Sequence, residues 1–539
     1  MKQLSSSIIC FLLFPALSSA QSFQWVYSNE ANYNQNPALP TNMVCTSNAG
    51  KVYDVYFYGD KFVYGSDIYG TDHVDCYTTD GDLQWTITLG SRALANRTVA
   101  DDDGNLYIFG SFMKSLVIDG SDSLENTGSN FSVNLFLLCI DPNGNLVWKR
   151  NLSEDHPDYY IPGAIALDHD QKLWYALSDF SGSIINETDA SGNDLTSYYL
   201  AGSKMIGGIS FDAQHNLFVA GATTAPTLTV VNLDVNVPEP YMMFVARINA
   251  AGEGSWAELA SDVTFQRPEV KADNSGNAFV SGTLMVATSF GSVSFMPPQW
   301  VYDVFLTRVD SNGNFLWGVQ APQDPGGITG DFARGVNSFI TIDAENHVYL
   351  TGDTRGTLDW GNGVMSEATS ISLTSLTIIS FDENGTALWA RNGGSEEFNQ
   401  ASAIAINDAG EIFFSAAITG NASFDTISVN NGGDFASVIG KLDPGVATSA
   451  SNFVTDDLIH IYPNPFTQTF QVAFNLPAGK SSVALIVFDL AGKEMERHEL
   501  PAHETILSLS AADYTAGVYL LEVRSEGQLL HRAKLIKAE

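Results

Sequence analysis

Basic residues are what this sequence has least of. Its 539 residues hold 25 Lys and Arg against 61 Asp and Glu, a formal net charge of −36. So acidic a chain repels polyanions, which argues against nucleic acid or an anionic membrane as partner. Charged residues make up only 16% of the chain, so the surface must rest largely on Ser, Thr, Asn, Gly and Asp. No stretch beyond the N-terminus approaches the ~18 apolar residues of a membrane-spanning helix, and no transmembrane segment is expected. Gly-x-Ser-x-Gly, a phosphate loop and a dinucleotide fingerprint are absent, so the chain spells out neither a nucleophile elbow nor a nucleotide site. The nine histidines are scattered, with no His-x-x-x-His pair. No catalytic, cofactor-binding or metal residue is assigned on these grounds. The 45% hydrophobic and 11% aromatic content nevertheless excludes wholesale disorder. The length calls for several domains or a repeat fold.

The first twenty residues read as an address. Lys2 is followed by an apolar run from Ile8 to Leu17, of signal-peptide length. Small residues then precede an expected cleavage between Ala20 and Gln21. Cleavage removes Lys2 and Cys10, leaving net charge −37 and three cysteines, Cys45, Cys76 and Cys139. An odd number leaves at least one free thiol.

Two short motifs alternate down the chain. One is Asp-x-x-Gly-x-Leu-x-Trp, clearest at Asp141–Trp148, Asp310–Trp317 and Asp382–Trp389. Weaker copies stand at Thr78–Trp85, Asn249–Trp256 and Asp189–Thr196. A seventh begins at Asp443 and stops before any Trp. The other is Asp-x-x-Gly-Asn-x-aromatic-apolar-x-Gly, best at Asp101–Gly110 and Asp273–Gly282. Asp212–Gly221, Asp343–Gly352 and Asn407–Ala416 follow it, and Ser47–Tyr56 and Asp168–Leu177 are degenerate. In both, Asp or Asn opens a tight turn by bonding the backbone two residues on, and Gly supplies positive φ. Apolar alternation on both sides makes each motif a β-hairpin. Seven of each, alternating, give seven four-stranded units, the pattern of an all-β, seven-bladed β-propeller.

The seventh unit lacks its fourth strand, and the N-terminus offers an orphan one. Phe23-Gln24-Trp25-Val26-Tyr27 matches Leu83-Gln84-Trp85-Thr86-Ile87 in pattern. The N-terminal strand is therefore expected to complete the last blade beside the strand near Ser437–Leu442, pairing two exposed edges. The tryptophans recur at one place in the repeat, which points to blade-on-blade packing rather than to a sugar platform. Cys76 and Cys139 sit on equivalent strands of neighbouring blades, ~10 Å apart, too far for a disulfide. The longer segments Ala222–Tyr241, Thr283–Tyr302 and Asp353–Ser375 carry unrepeated aromatics, including Trp300, Tyr302 and Trp360. They are the candidate ligand loops.

These alternating turns resemble the bacterial SBBP β-propeller repeat family, most closely over Asp303–Gly313. The Trp motif also resembles the tryptophan docking motif of quinoprotein propellers. Those enzymes generally have eight blades, and some carry a vicinal cysteine pair that is missing here. The resemblance spans roughly residues 21 to 450 and implies fold, not activity.

The last eighty-odd residues differ. After a linker at 447–455 come Tyr462-Pro463-Asn464-Pro465, Phe488-Asp489-Leu490-Ala491-Gly492-Lys493, Gly517-Val518-Tyr519-Leu520-Leu521-Glu522-Val523 and Lys534-Leu535-Ile536-Lys537. In this order and place they resemble the type A sorting domain of the type IX secretion system. The resemblance implies a small Ig-like β-sandwich over 456–539, read by the secretion translocon. Its sorting-motif residues would be Tyr462, Pro463, Asn464, Pro465, Asp489, Gly492, Gly517, Tyr519, Lys534 and Lys537. It implies release from, or anchoring on, the surface of a Gram-negative cell, with cleavage near Ser449–Asp456. This end carries 7 basic and 11 acidic residues, so the acidity belongs to the propeller.

Asp101-Asp102-Asp103 and Asp80-Gly81-Asp82 offer oxygen ligands of the kind that suits Ca²⁺, but neither fits the twelve-residue Ca²⁺ loop. Their expected role is in the turns. Three functions stay open. The first is a non-catalytic binding or adhesion module for polysaccharide or a surface protein. The second is an extracellular polysaccharide lyase or hydrolase with its site at the central channel. The third is a structural surface component. An enzyme predicts titratable groups converging at the channel, and a binding module predicts an exposed aromatic patch.

Overall fold

The structure, a computed structural model, describes residues 21–538 apart from 31–41, 262–266, 298–302, 323–330, 369–373, 432–434, 445–458, 463–465, 475–481, 490–492, 502–505 and gaps of one or two residues. Two compact units form, one within Ser19–Gly445 and one within Val446–Glu539. Strand dominates both, and the one helix among the described residues is Leu152–Asp155. No described helix is long and apolar enough to cross a membrane.

The first unit is a seven-bladed propeller. Blade 3 shows the plan, with antiparallel strands Ile161–Leu167, Leu173–Ser178, Gly182–Thr188 and Asp194–Ala201 running from axis to rim. Blades 4 and 5 repeat it from Ser203–Phe211 to Gly254–Ser261 and from Glu269–Ala272 to Phe315–Gln320. The long strand Leu83–Ala100 serves as the rim strand of blade 1 and then the inner strand of blade 2. In blade 6 the inner strand is split into Asp331–Arg334 and Ile340–Ile342. Blade 7 takes its rim strand from the other end of the chain: Ser22–Glu30 pairs antiparallel with Phe435–Asp443 from Ser22↔Asp443 to Glu30↔Ala436. Inner strands pack in succession around the axis, with Asn399–Ile406 against Met43–Ser47 closing the ring.

The turns explain why the repeat folds this way. In Asp141–Asn145 the backbone closes by Asp141 N to Asn145 O and Gly144 N to Asp141 O, at 2.8 and 3.0 Å. Asp141 Oδ1 accepts the amides of Asn143 and Asn145 at 2.8 Å, and Oδ2 accepts Asn145 Nδ2. Gly144 sits at φ +88°, which L-residues rarely adopt. Where glycine is missing, Gln171, His215 and Asn346 hold the same left-handed conformation. The blade interiors are apolar. Cys45, Cys76 and Cys139 are buried and unbridged. Burial pushes the Cys45 thiol up to about 12 and the Cys76 thiol up to about 11, so neither is a ready nucleophile.

The proposed ligand loops turn out differently. Each carries an extra hairpin: Thr227–Val230 with Leu233–Asn236, Thr288–Phe290 with Val293–Phe295, and Thr357–Asp359 with Met365–Glu367. Blades 2 and 7 have the same insertion at Ser115–Glu125 and Ala422–Val429. In three cases the hairpin pairs with the rim strand of the preceding blade, as in Leu200↔Val230. Leu228, Val230, Phe290, Phe295, Leu358 and Phe424 are buried in blade cores. Trp360 packs among Phe332 and Phe381, with its Nε1 donating to Ser366 Oγ. These segments are buttresses, because their alternating apolar side chains cover an edge that the rim strand would otherwise expose. Trp300 and Tyr302 lie outside the described residues.

The second unit is a sandwich of two antiparallel sheets. One orders Ile459–Tyr462, Thr469–Phe474 and Ile506–Ser510. The other orders Glu494–Pro501, Ser482–Asp489, Gly517–Ser525 and Gln528–Lys537. Phe466, Phe470, Leu485, Val487, Tyr519, Leu521 and Leu535 form its core.

Candidate functional site

The recurring indoles lock blade to blade. Trp85 of blade 1 lies over Gly144 of blade 2 and donates from Nε1 to Pro142 O at 3.0 Å. Trp148 does the same to Ala190 O, Trp256 to Ser311 O and Trp317 to Glu383 O. Trp25, on the strand that closes the ring, lies over Gly81 of blade 1 and donates to Thr79 O at 3.1 Å. In the Asp189 copy the dock is filled not by Thr196 but by Tyr198, whose ring covers Gly252. A side chain used the same way at five of the seven junctions, with Tyr198 at a sixth, is structural.

The turn carboxylates are engaged as acceptors. Asp101 takes the amide and side chain of Asn105 and the Tyr107 hydroxyl. Asp102 Oδ1 accepts Asn48 Nδ2. Burial acts to raise the Asp141 and Asp310 carboxyls, but the converging amide donors outweigh it and hold both below the ordinary range.

Charged side chains do converge on the axis. Arg97 of blade 2 lies 4.0 Å from Glu269 of blade 5, both about nine-tenths buried or more, and donates to Asn337 Oδ1 of blade 6 at 3.3 Å. Lys271, two residues along from Glu269, and Arg334 of blade 6 share the same field. Burial pushes Glu269 up and Arg97, Lys271 and Arg334 down, Arg334 to about 10. Around them Asn337 Nδ2 donates to Asn42 O and Ser402 Oγ. The inner strands approach so closely that a Cβ on Gly207 would meet Pro268 O at 2.4 Å. One sequence signal marks this cluster. Arg97 and Glu269 stand four residues before the turn Asp, where the other blades have Met43, Ala164, Gly208, Phe339 and Ala403.

A second buried polar cluster lies where blade 7 meets blade 1. Asp54 and Asp75 are directly opposed across neighbouring strands and both buried. Asn29 Nδ2, from the closing strand, donates to both. Tyr56, Tyr77 and Thr86 donate to Asp75. Burial first, and the Asp75 charge second, push Asp54 well up.

The up-and-down order puts both turn motifs on one face of the propeller. Connections between second and third strands share the opposite face. There Phe131 is 60% exposed, Val63 53% and Tyr64 46%. Phe62 and Phe131 have centroids 6.4 Å apart, and the Arg92 guanidinium lies 4.0 Å over Phe62. Arg92 itself is held at φ +72°. Tyr69, Leu94 and Met113 are buried beneath.

Among the sorting residues, Tyr519 is buried and its hydroxyl donates to Thr515 O at 2.8 Å. Asp489 ends its strand opposite Tyr519, and Gly517 pairs with Lys537. Lys534 pairs with Leu520. Lys537 Nζ donates to Thr467 O, and Ala538 N donates to Phe466 O at 2.8 Å. The last strand is thereby joined to the segment just after Pro465. Tyr462 closes the first strand of its sheet. Pro463, Asn464, Pro465 and Gly492, the leader up to Ala20 and the cleavage region Ser449–Asp456 lie outside the described residues. Gln21, the first described residue, offers its carbonyl to Arg391 Nε at 2.8 Å.

Residues 460–538 match the family described as the secretion system C-terminal sorting domain. No curated protein matches the chain. Among solved structures the chain is similar to a catalytically inactive virginiamycin B lyase from Staphylococcus aureus with quinupristin. That likeness has 12% identity and a TM-score of 0.40, over 78% of this chain and 98% of that one. A structural genomics protein of unknown function from Bacteroides thetaiotaomicron gives 11% and 0.29, over 79% and 99%. An ulvan lyase bound to a saccharide gives 11% and 0.30, over 92% and 97%.

Proposed function

We propose that this propeller, joined to a secretion sorting domain, is a non-catalytic binding module for polysaccharide at the outside of a Gram-negative cell. On this reading residues 1–20 are removed on export, 21–446 bind, 447–455 link, and 456–539 engage the type IX translocon. The observation that carries the reading is the exposed apolar group Val63, Tyr64 and Phe131, beside the half-buried Phe62 with Arg92 over its ring. Aromatic faces left in water on a rigid hairpin suit the apolar faces of sugar rings, and exposed patches of this kind mark recognition surfaces. The propeller's acidity favours a neutral glycan over a polyanion. The alternative, an enzyme at the channel, is less favoured because Arg97 and Glu269 are engaged with each other on the axis.

The test is a glycan and matrix-protein array with the full mature chain, with and without Ca²⁺. Selective glycan binding that falls about tenfold or more in Tyr64→Ala/Phe131→Ala, with an unchanged melting curve, supports the proposal. Unchanged binding in that variant, or turnover of the glycan by the wild type, overturns it.

A further inference from the structure

The junction of blades 7 and 1, where the N-terminal strand closes the ring, buries two carboxylates side by side. Asp54 and Asp75 are directly opposed across neighbouring strands. Among the described residues every donor that reaches them is neutral: the hydroxyls of Tyr56, Tyr77 and Thr86 and the side-chain amide of Asn29. Lys441, on the facing side of blade 7, is taken by Glu411 at 2.5 Å. Asp75 uses both of its oxygens, whereas Asp54 Oδ1 is buried with no hydrogen-bond partner. Buried charge is tolerated only when compensated, and two adjacent carboxyls without a counter-charge leave one of them to take a proton. Asp54 is poorly placed to hold it. Its Oδ2 already accepts the Asn29 amide at 3.3 Å, and its Oδ1 has no acceptor within reach.

Blade 7 brings two more open oxygens to this junction. Ser437 pairs with Asn29 of the closing strand, so their side chains leave the sheet on one face, and Asn29 touches both carboxylates. Ser415 pairs with both Ala403 and Ile439, which share one core with Val44, Val52 and Tyr77 of blade 1. Both serines are fully buried, and neither hydroxyl has a hydrogen-bond partner. Buried polar atoms of this kind call for a partner from outside the chain. These open oxygens do not bond one another, but an ion that holds each ligand at about 2.3–2.6 Å bridges oxygens about 5 Å apart.

We propose that the junction of blades 7 and 1 is a Ca²⁺ site, with Asp54 and Asp75 supplying charge and Ser415 and Ser437 supplying neutral oxygens. The ion would fasten the closing strand to the first blade. Two carboxylates neutralise a divalent ion, and a donor set of oxygen alone suits a hard cation. Burial favours Ca²⁺ over Mg²⁺, which keeps several waters and demands near-ideal octahedral geometry. The proposal is independent of the aromatic face, since different residues carry it.

Thermal melting of the full mature chain, first freed of metal with EDTA, tests it. Calcium and magnesium chloride are each titrated to about 10 mM against sodium chloride of equal ionic strength, which covers the ~10⁻⁴–10⁻³ M affinities of extracellular Ca²⁺ modules. The expected result is a saturable rise in melting temperature with calcium, reversed by EDTA, and a smaller one with magnesium. Asp54→Asn keeps the shape of the side chain and an acceptor for Asn29, and should abolish the rise. Ser437→Ala should raise the calcium concentration at half response about tenfold. Asp102→Asn/Asp103→Asn should leave the response unchanged, which separates this site from the turn carboxylates. Absence of any saturable rise above the sodium chloride control overturns the proposal, as does an Asp54→Asn response equal to wild type.

Discussion

Gly385 and Gly410 both stand fourth in five-residue turns, at φ +80° and +77°, but only Gly385 has an indole over it. A Cβ added at 385 would lie 2.7 Å from Trp317 Cε3 and 2.9 Å from Cζ3, whereas at 410 nothing lies within 4 Å. Trp317 is not free to retreat, because its Nε1 donates to Glu383 O at 2.9 Å. Gly410→Ala therefore carries only the cost of a left-handed L-residue, about 1–2 kcal/mol. Gly385→Ala adds the cost of overpacking, about 1–3 kcal/mol more. An unfolding entropy of about 2.1 cal/mol/K per residue gives ~0.9 kcal/mol/K for a unit of this length. The expected losses in Tm are thus about 1–2 °C for Gly410→Ala and about 2–5 °C for Gly385→Ala. Differential scanning calorimetry of the two variants beside wild type measures the difference. Equal losses, or a larger loss at 410, would refute the view that the indole docks hold the blades together.

Deleting Gln21–Ser28 should lower Tm sharply, since it removes the rim strand of blade 7 together with the Trp25 dock; an unchanged melting curve would show that the ring does not depend on this closure. Asp72 is fully buried, with Oδ2 accepting Ala95 N at 2.8 Å, and burial pushes its carboxyl up to about 8. A folded pKa above the unfolded ~3.9 means that Asp72's contribution to stability is fully present below about pH 4 and is lost as pH rises toward 8. Asp72→Asn should therefore melt higher than wild type at pH 8, by at most about 5 kcal/mol of stability, with the gap closing near pH 4. A gap that does not depend on pH would show that Asp72 is not protonated in the folded state.

The repeat was legible because each hairpin turn is a local event. Asp141, Gly144 and Asn145 make their hydrogen bonds within five residues, so the sequence shows them without reference to anything distant. The sorting domain was legible for a similar reason, as short strands separated by turns in a fixed order. The inserted hairpins read as plain loops in the sequence because their aromatic and branched residues do not repeat strictly. What made them buttresses is burial of their apolar side chains in the blade cores and, for Thr227–Val230, pairing such as Leu200↔Val230 with a strand of another blade. Tyr198 in place of a tryptophan was missed because the dock depends on where a ring lies over Gly252, not on its position in a motif.

The sequence by itself determined the strands, the turns, the number of blades and the identity of the C-terminal domain. Periodicity and turn chemistry act over a few residues, and those are written in order along the chain. Only the tertiary structure decided that Arg97, Glu269, Lys271 and Arg334 share the axis, and that Phe62, Tyr64 and Phe131 stand together on one face. Those groups lie on different blades or different connections. Their proximity follows from closure of the ring, which no local pattern encodes.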